Sequence, residues 1–227
     1  GNQNYSGMIE YGLSEILSLG IFYTEADDPL YKNIRQLDIQ PENLWSIYGV
    51  KAKWKLLDKN SYKLSIDSSI ERWRVGSGGC YGFNCKKISN NIFNDGMEKV
   101  LNDNIIGSIS TPISWKKFKN TELTFSPRLV ILPNKQENKN GSGTFYGLNY
   151  GVGLGINKII DEKTKGYIST YIPIKSKNYF GDDLIFEGRN IYTLGLNYEI
   201  DKKISLEGYL TNSFGQTPST SILTIPS

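Results

Sequence analysis

The chain has 227 residues, which suits one domain, and it contains no histidine. The missing imidazole excludes Ser-His-Asp triads, Cys-His pairs, HExxH zinc sites and C2H2 fingers. Basic and acidic residues number 26 and 23, a near-balance that gives no electrostatic case for nucleic acid, and no run of ~18 apolar residues fits a membrane helix.

Helical periodicity is hard to find, whereas period-two alternation recurs from end to end. Ile9, Tyr11 and Leu13 alternate with Glu10 and Gly12, and Leu17, Leu19, Ile21 and Tyr23 with Ser18, Gly20 and Thr24. Tyr48, Val50, Ala52, Trp54 and Leu56 alternate with Gly49, Lys51, Lys53 and Lys55. Tyr62, Leu64, Ile66 and Ile70 alternate with Lys63, Ser65, Asp67 and Glu71. Ile105 to Lys116 follows more weakly, and then Leu123, Phe125, Leu129 and Ile131 alternate with Thr124, Ser126 and Arg128. From Thr144 to Ile156, Tyr146, Leu148, Tyr150, Val152, Leu154 and Ile156 share one face. Gly147, Asn149, Gly151, Gly153 and Gly155 share the other. Tyr167 to Ile174, Tyr192 to Ile200 and Ile204 to Thr211 complete ten predicted strands. Successive side chains of a strand point to opposite faces, so each has an oily face and a small or polar one.

Connections alternate in length. Tight turns are expected near Ser14-Glu-Ile16, Asp58-Lys-Asn60, Lys119-Asn-Thr121 and Asp201-Lys-Lys203, with a longer one at Asn157 to Gly166. Between these hairpins lie the polar stretches 25–44, 75–104, 133–143 and 175–190, and a tail from Asn212. Short turns on one rim and long loops on the other are the pattern of a transmembrane barrel. Lipid cannot hydrogen-bond the backbone, so a spanning sheet must close on itself, apolar outside and free to be polar inside. The runs approach the ~9–11 residues a crossing strand needs. Tyr11, Tyr23, Tyr48, Trp54, Tyr62, Trp115, Tyr146 and Tyr198 fall near strand ends on the apolar face, where amphipathic rings meet the headgroup level. Pro112, Pro127 and Pro173 interrupt strands and must sit at bulges or rims. The expected fold is an all-β, antiparallel up-and-down transmembrane barrel of about ten strands, as a single domain over residues 1–227.

The segments Ile9-Glu-Tyr-Gly-Leu-Ser-Glu-Ile-Leu-Ser-Leu-Gly20 and Leu194-Gly-Leu-Asn-Tyr-Glu-Ile-Asp-Lys-Lys-Ile-Ser-Leu206 resemble strand-turn-strand units of Gram-negative outer-membrane barrel proteins. The tracts Val75-Gly-Ser-Gly-Gly-Cys80 and Asn212-Ser-Phe-Gly-Gln-Thr-Pro-Ser-Thr-Ser-Ile-Leu-Thr-Ile-Pro226 resemble uncharacterised outer-membrane proteins of marine cyanobacteria. The resemblance implies a bacterial outer-membrane location, with the lipid bilayer as partner, and carries no catalytic residues. One departure is the end of the chain. Such barrels finish in a strand with a terminal aromatic, and Thr-Ile-Pro-Ser227 suggests a piece of a longer protein.

Within a barrel, Lys51, Lys53, Lys55, Lys63, Asp67, Glu71, Arg128, Glu199 and Glu207 would line the lumen, with Lys51 opposite Asp67 and Lys53 opposite Ser65. Such a lining is either an ion-paired plug or a selectivity surface for small solutes. Cys80 and Cys85 have the spacing of a small disulfide-closed loop in an oxidising compartment. No metal or cofactor is expected. Asp182-Asp183 reads as a solvated pair, and Gly151-Val-Gly-Leu-Gly155 as small residues facing a crowded interior. The expected role is non-enzymatic, a porin-like channel or structural barrel. Two alternatives stand beside it: an adhesin-type barrel acting through its long loops, and a soluble lipocalin-like barrel with its apolar face turned inward.

Overall fold

A computed structural model describes residues 4–27, 43–77, 80–81, 84–85, 101–118, 120–138, 141–180, 186–201 and 204–224. Eleven strands form one antiparallel sheet. They are β1 (Asn4–Gly12), β2 (Leu17–Asp27), β3 (Asn43–Lys59), β4 (Tyr62–Ser77), β5 (Leu101–Ser110), β6 (Ile113–Phe118), β7 (Thr121–Ile131), β8 (Leu148–Ile159), β9 (Thr164–Pro173), β10 (Ile191–Glu199) and β11 (Ser205–Thr211). Neighbours in sequence are neighbours in the sheet, and β5 and β6 together make one long path between β4 and β7. The tenfold alternation of the sequence therefore maps onto ten strand paths, one of them broken. Short two-stranded ribbons pair Cys80–Tyr81 with Asn84–Cys85, Lys135–Asn138 with Gly141–Thr144 and Tyr179–Phe180 with Phe186–Glu187.

The break falls at Thr111-Pro112, the site of one of the three prolines. Pro112 supplies no N–H to a ladder, and its carbonyl instead accepts from Ser65 N at 3.1 Å. Pro127 lies opposite that break, where its carbonyl accepts from Thr111 N at 3.1 Å. Pro173 is the last residue of β9. Each proline thus sits where the ladder is already interrupted or ending.

The strand ends joined by short connections, β1–β2, β3–β4, β6–β7, β8–β9 and β10–β11, fall on one rim of the sheet, and the other strand ends fall on the opposite rim. The β3–β4 register differs from expectation: Lys53 faces Asp67 and Lys51 faces Ser69, because the turn is Asn60-Ser61 and the pairing shifts between Lys55 and Leu57. A two-residue turn alone would put the odd-numbered residues of β3 opposite the even-numbered residues of β4. The bulge at Leu56 supplies the one residue that restores both strands to a common facing.

The exposed apolar residues of neighbouring strands fall on one side of the sheet. The cross-strand row Ile9, Ile21, Val50, Ile70, Gly107, Ile131 and Leu148 runs unbroken from β1 to β8. Apart from Gly107, these residues are exposed, as are Leu154, Ile156, Ile168, Leu194 and Leu206. Leu210 is the extreme at 76 %. The opposite, inner face is the covered one. Toward the long-connection rim it holds an apolar cluster that includes Ile47, Trp73, Ile106, Val130, Phe145, Tyr146 and Phe186.

Tyr146 departs from expectation. It is 2 % exposed and packs edge-on against Phe145 and Phe186 at 4.8 Å. The strand begins at Leu148, and Gly147 at φ 71° turns the chain just before it. Only glycine adopts that conformation without strain, and the turn sends Tyr146 inward. The other expected girdle aromatics with large exposure, Tyr11, Tyr23, Tyr48, Trp54, Trp115 and Tyr198, lie on the outer face.

Candidate functional site

Part of the inner face, around Glu71 and Arg128, is covered by residues 212–224. After β11 the chain folds back, makes one bridge between Ser213 and Thr224, and forms a single 3-10 turn at Thr220–Ile222. Ile222 and Leu223 are fully buried among the apolar cluster. Asn178 holds the segment from the side, donating Nδ2 to Ile222 O at 2.8 Å, while Thr224 N donates to Asn178 O at 2.9 Å.

The centre of this arrangement is Glu71, 0 % exposed on β4. Each carboxylate oxygen accepts two hydrogen bonds. Oε1 accepts from Ser219 N at 2.9 Å and Ser69 Oγ at 3.2 Å; Oε2 accepts from Trp73 Nε1 and Thr217 Oγ1, both at 2.9 Å. A buried charge is tolerable only when its lone pairs are taken, and four donors meet that condition here. Two of them come from a segment 146 and 148 residues further along the chain. The tail is pre-shaped for this: Thr217 and Thr220 bond side chain to side chain at 2.8 Å, and Thr220 Oγ1 accepts from Thr217 N at 3.0 Å. Such hydroxyl-to-backbone bonds hold a tight turn without any strand or helix around it.

Arg128 on β7 holds the same segment from the other side, donating Nη1 to Ser221 Oγ at 3.3 Å. Its side chain lies along the inner face of β8, where a Cβ on Gly153 would stand 3.6 Å from Arg128 Nε. Gly151 leaves room for the Tyr171 ring, which a Cβ there would strike along with Ile172 O. The glycine row of β8 therefore does face a crowded interior, as its spacing implied. Two polar cavities adjoin Arg128. One, of about 230 Å3, includes Glu10, Lys51, Lys53, Asp67 and Pro218. The other, of about 320 Å3, includes Ser126, Gly153, Gly155, Tyr171 and Ser221.

The remaining expected lining residues all lie on the inner face but do not form one constellation. Lys51 crosses over Gly20 to pair with Glu10 at 2.5 Å, and Ser18 Oγ donates to the other Glu10 oxygen at 2.8 Å. Lys55 and Lys63 flank Asp58 at 3.4 and 3.9 Å beside the short-turn rim. Glu199 lies 4.0 Å from Lys165. Glu207 accepts from the Tyr167 hydroxyl, whose ring passes over Gly195. The pairs near the rim are half-exposed and contribute little to stability. Cys80 and Cys85 stand directly opposite each other in their ribbon, but their side chains lie outside the described residues, and no disulfide occurs among the described residues. Asp182 and Asp183 also lie outside the described residues.

No protein-family model matches the chain, and no curated protein matches it. The geometry alone therefore carries the functional argument.

Sequence reasoning placed Glu71 and Arg128 on the lining but missed their partners Thr217, Ser219 and Ser221. The one available signal was the pair Ile222-Leu223, apolar residues set in a tract of Ser, Thr and Pro.

Proposed function

We propose that the chain is a non-enzymatic bacterial outer-membrane β-barrel protein, a porin-like or structural barrel whose lumen is occupied by its own C-terminal segment. The observation that carries this reading is the exposed apolar band on the outer face, continuous across the sheet, opposite an inner face that buries a carboxylate. In water the hydrophobic effect drives the opposite arrangement. Bilayer hydrocarbon favours it.

Closure of the sheet belongs to the same proposal. β1 and β11 are exposed on both faces. Ten alternating strand paths make the first and last antiparallel, the sense that pairing them requires. Lipid gives an unpaired edge no hydrogen-bonding partner. The outer rows near the short-turn rim hold Trp54, Tyr62, Trp115 and Tyr198, and those near the other rim Tyr23, Tyr48, Tyr150 and Tyr192. They are read as two girdles bounding the band.

The lipocalin-like alternative needs its apolar face covered, and here that face is the exposed one. The adhesin alternative rests on the long loops 25–44 and 75–104, of which 28–42 and 86–100 lie outside the described residues.

The test is refolding from denaturant with and without lipid vesicles, followed by planar-bilayer recording. The proposal expects folding only with lipid or detergent, a heat-sensitive fast-migrating band on SDS gels, and low conductance with the tail in place. A version lacking residues 212–227 should give discrete single-channel steps. A monodisperse folded protein in detergent-free water would overturn the membrane reading. Silence from both versions would overturn the channel reading.

A further inference from the structure

We propose that the cavity beside Arg128 is a binding site for a small oxyanion, a carboxylate or a phosphate. The inference needs only the described inner face, and it stands whether lipid or detergent covers the outer one.

The first observation is the guanidinium. With Nη1 committed to Ser221, its Nε has no hydrogen-bond partner although the atom is buried. No ion pair joins Arg128 to a carboxylate among the described residues. A guanidinium has donors only, and the edge bearing Nε matches the two oxygens of a carboxylate or phosphate. A buried donor left without a partner is costly, so a ligand that takes it gains affinity.

The second observation is independent of that charge. Ser126 Oγ is also buried without a partner, on a residue only 4 % exposed, and Ser126 lines the same cavity of about 320 Å3 as Arg128 and Tyr171. Two unpaired donor groups of β7, Arg128 Nε and Ser126 Oγ, thus belong to residues that line one space. That space exists because Gly153 and Gly155 place no side chains in it. It is roughly ten times the ~30 Å3 that one water occupies in the liquid, enough for a phosphate or a short dicarboxylate. Its chemistry is a cation ringed by hydroxyls, the complement of an oxyanion rather than of a metal or an apolar molecule.

The neighbouring charges agree. Asp67 faces Arg128 from the adjoining cavity, but Lys53 is its strand partner there, and Lys51 is already paired with Glu10. Three cations against two carboxylates leave the inner face here with one positive charge to spare. The tail takes part as well, since Ser221 holds the guanidinium in place.

The test is isothermal titration of the folded, detergent-solubilised full chain with inorganic phosphate and, separately, with succinate, at low ionic strength. Wild type should bind at least one of them saturably at a single site, and the probe that binds says which headgroup is preferred. Arg128→Gln should abolish binding. Arg128→Lys, which keeps the charge and loses the fork, should weaken it about tenfold or more. Gly155→Leu should abolish it without touching the arginine; its Cβ would meet Thr124 and Ser169 only at ordinary contact distances of 3.7 and 3.8 Å, so the variant should fold. Lys63→Gln, at the distant rim, should bind as wild type, and heat-modifiable migration on gels checks folding throughout. Failure of both probes to bind folded wild type would overturn the proposal. So would equal binding by Gly155→Leu or by Arg128→Gln, which would mark a surface effect of the lysines.

Discussion

The two faces of the sheet reverse the usual order. The outer face exposes Leu210 at 76 % and Ile9 at 70 %, while the inner face buries Glu71 at 0 %. A water-soluble protein hides its leucines and hydrates its glutamates. On the inner face Glu71 has four hydrogen-bond donors, whereas Arg128 Nε has no partner. The comparison also separates two kinds of order. The outer face is a repetitive pattern that tolerates exchange among Ile, Leu, Val and Tyr. The inner face is specific: Glu71 takes four particular donors, Arg128 holds Ser221, and Gly151 leaves room for the Tyr171 ring.

The largest effect should come from the inner face. Glu71→Ala removes the acceptor for four donors, three of them supplied by buried residues of the tail and Trp73. It should cost about 4 kcal/mol in equilibrium refolding in lipid vesicles. A cysteine placed at Ser219 should become reactive to a water-soluble maleimide in that background and stay protected otherwise. A loss below about 1 kcal/mol would mean that the tail is held by its apolar residues alone.

Leu154→Arg on the outer face should cost about 2–4 kcal/mol in the same assay, the range for a cation placed at the bilayer midplane. No change in stability would mean that this face meets water. Gly151→Ala comes next. Its Cβ has no room beside Ile172 O and the Tyr171 ring, so a loss of about 1–3 kcal/mol is expected from overpacking. Gly107→Ala, where a Cβ would meet nothing within 4 Å on the outer face, should be nearly silent by the same measurement.

The smallest effect concerns pH. Asp161 lies in the turn between β8 and β9, accepting from Lys163 N at 2.9 Å and Thr164 N at 2.8 Å. Those backbone donors hold its carboxyl below the ordinary value of 3.8. A lowered folded pKa means that the stabilisation is present above the unfolded value and is lost as pH falls through the folded one. Amide exchange at Lys163 and Thr164 should therefore accelerate relative to other turns only below pH 3.8, and Asp161→Asn should remove that acid step.

The outer face was the legible one. Alternation of Leu, Val and Tyr with glycine in 148–156 carried both the strand and its facing, because a period of two is fixed by strand geometry. Turns and registers were less legible. The Asn60-Ser61 turn and the bulge at Leu56 together keep Lys51, Lys53 and Lys55 on the inner face but shift their partners, so Lys53 rather than Lys51 meets Asp67. Tyr146 was misplaced because one glycine at positive φ ended the alternation early. The tail was least legible of all. Thr217, Ser219 and Thr220 look like any polar loop until Glu71 is placed opposite them, and pairings across about 150 residues leave no local periodicity to read.

The central claim is that the outer face meets lipid, and site-directed spin labelling along β8 tests it most directly. Labels at 151 to 156 in vesicle-embedded protein should alternate. Those at Val152, Leu154 and Ile156 should collide with dissolved oxygen far more than with a water-soluble nickel complex, and those at Gly151, Gly153 and Gly155 should not. High accessibility of the even-numbered positions to the nickel complex, with oxygen preference absent, would contradict the account.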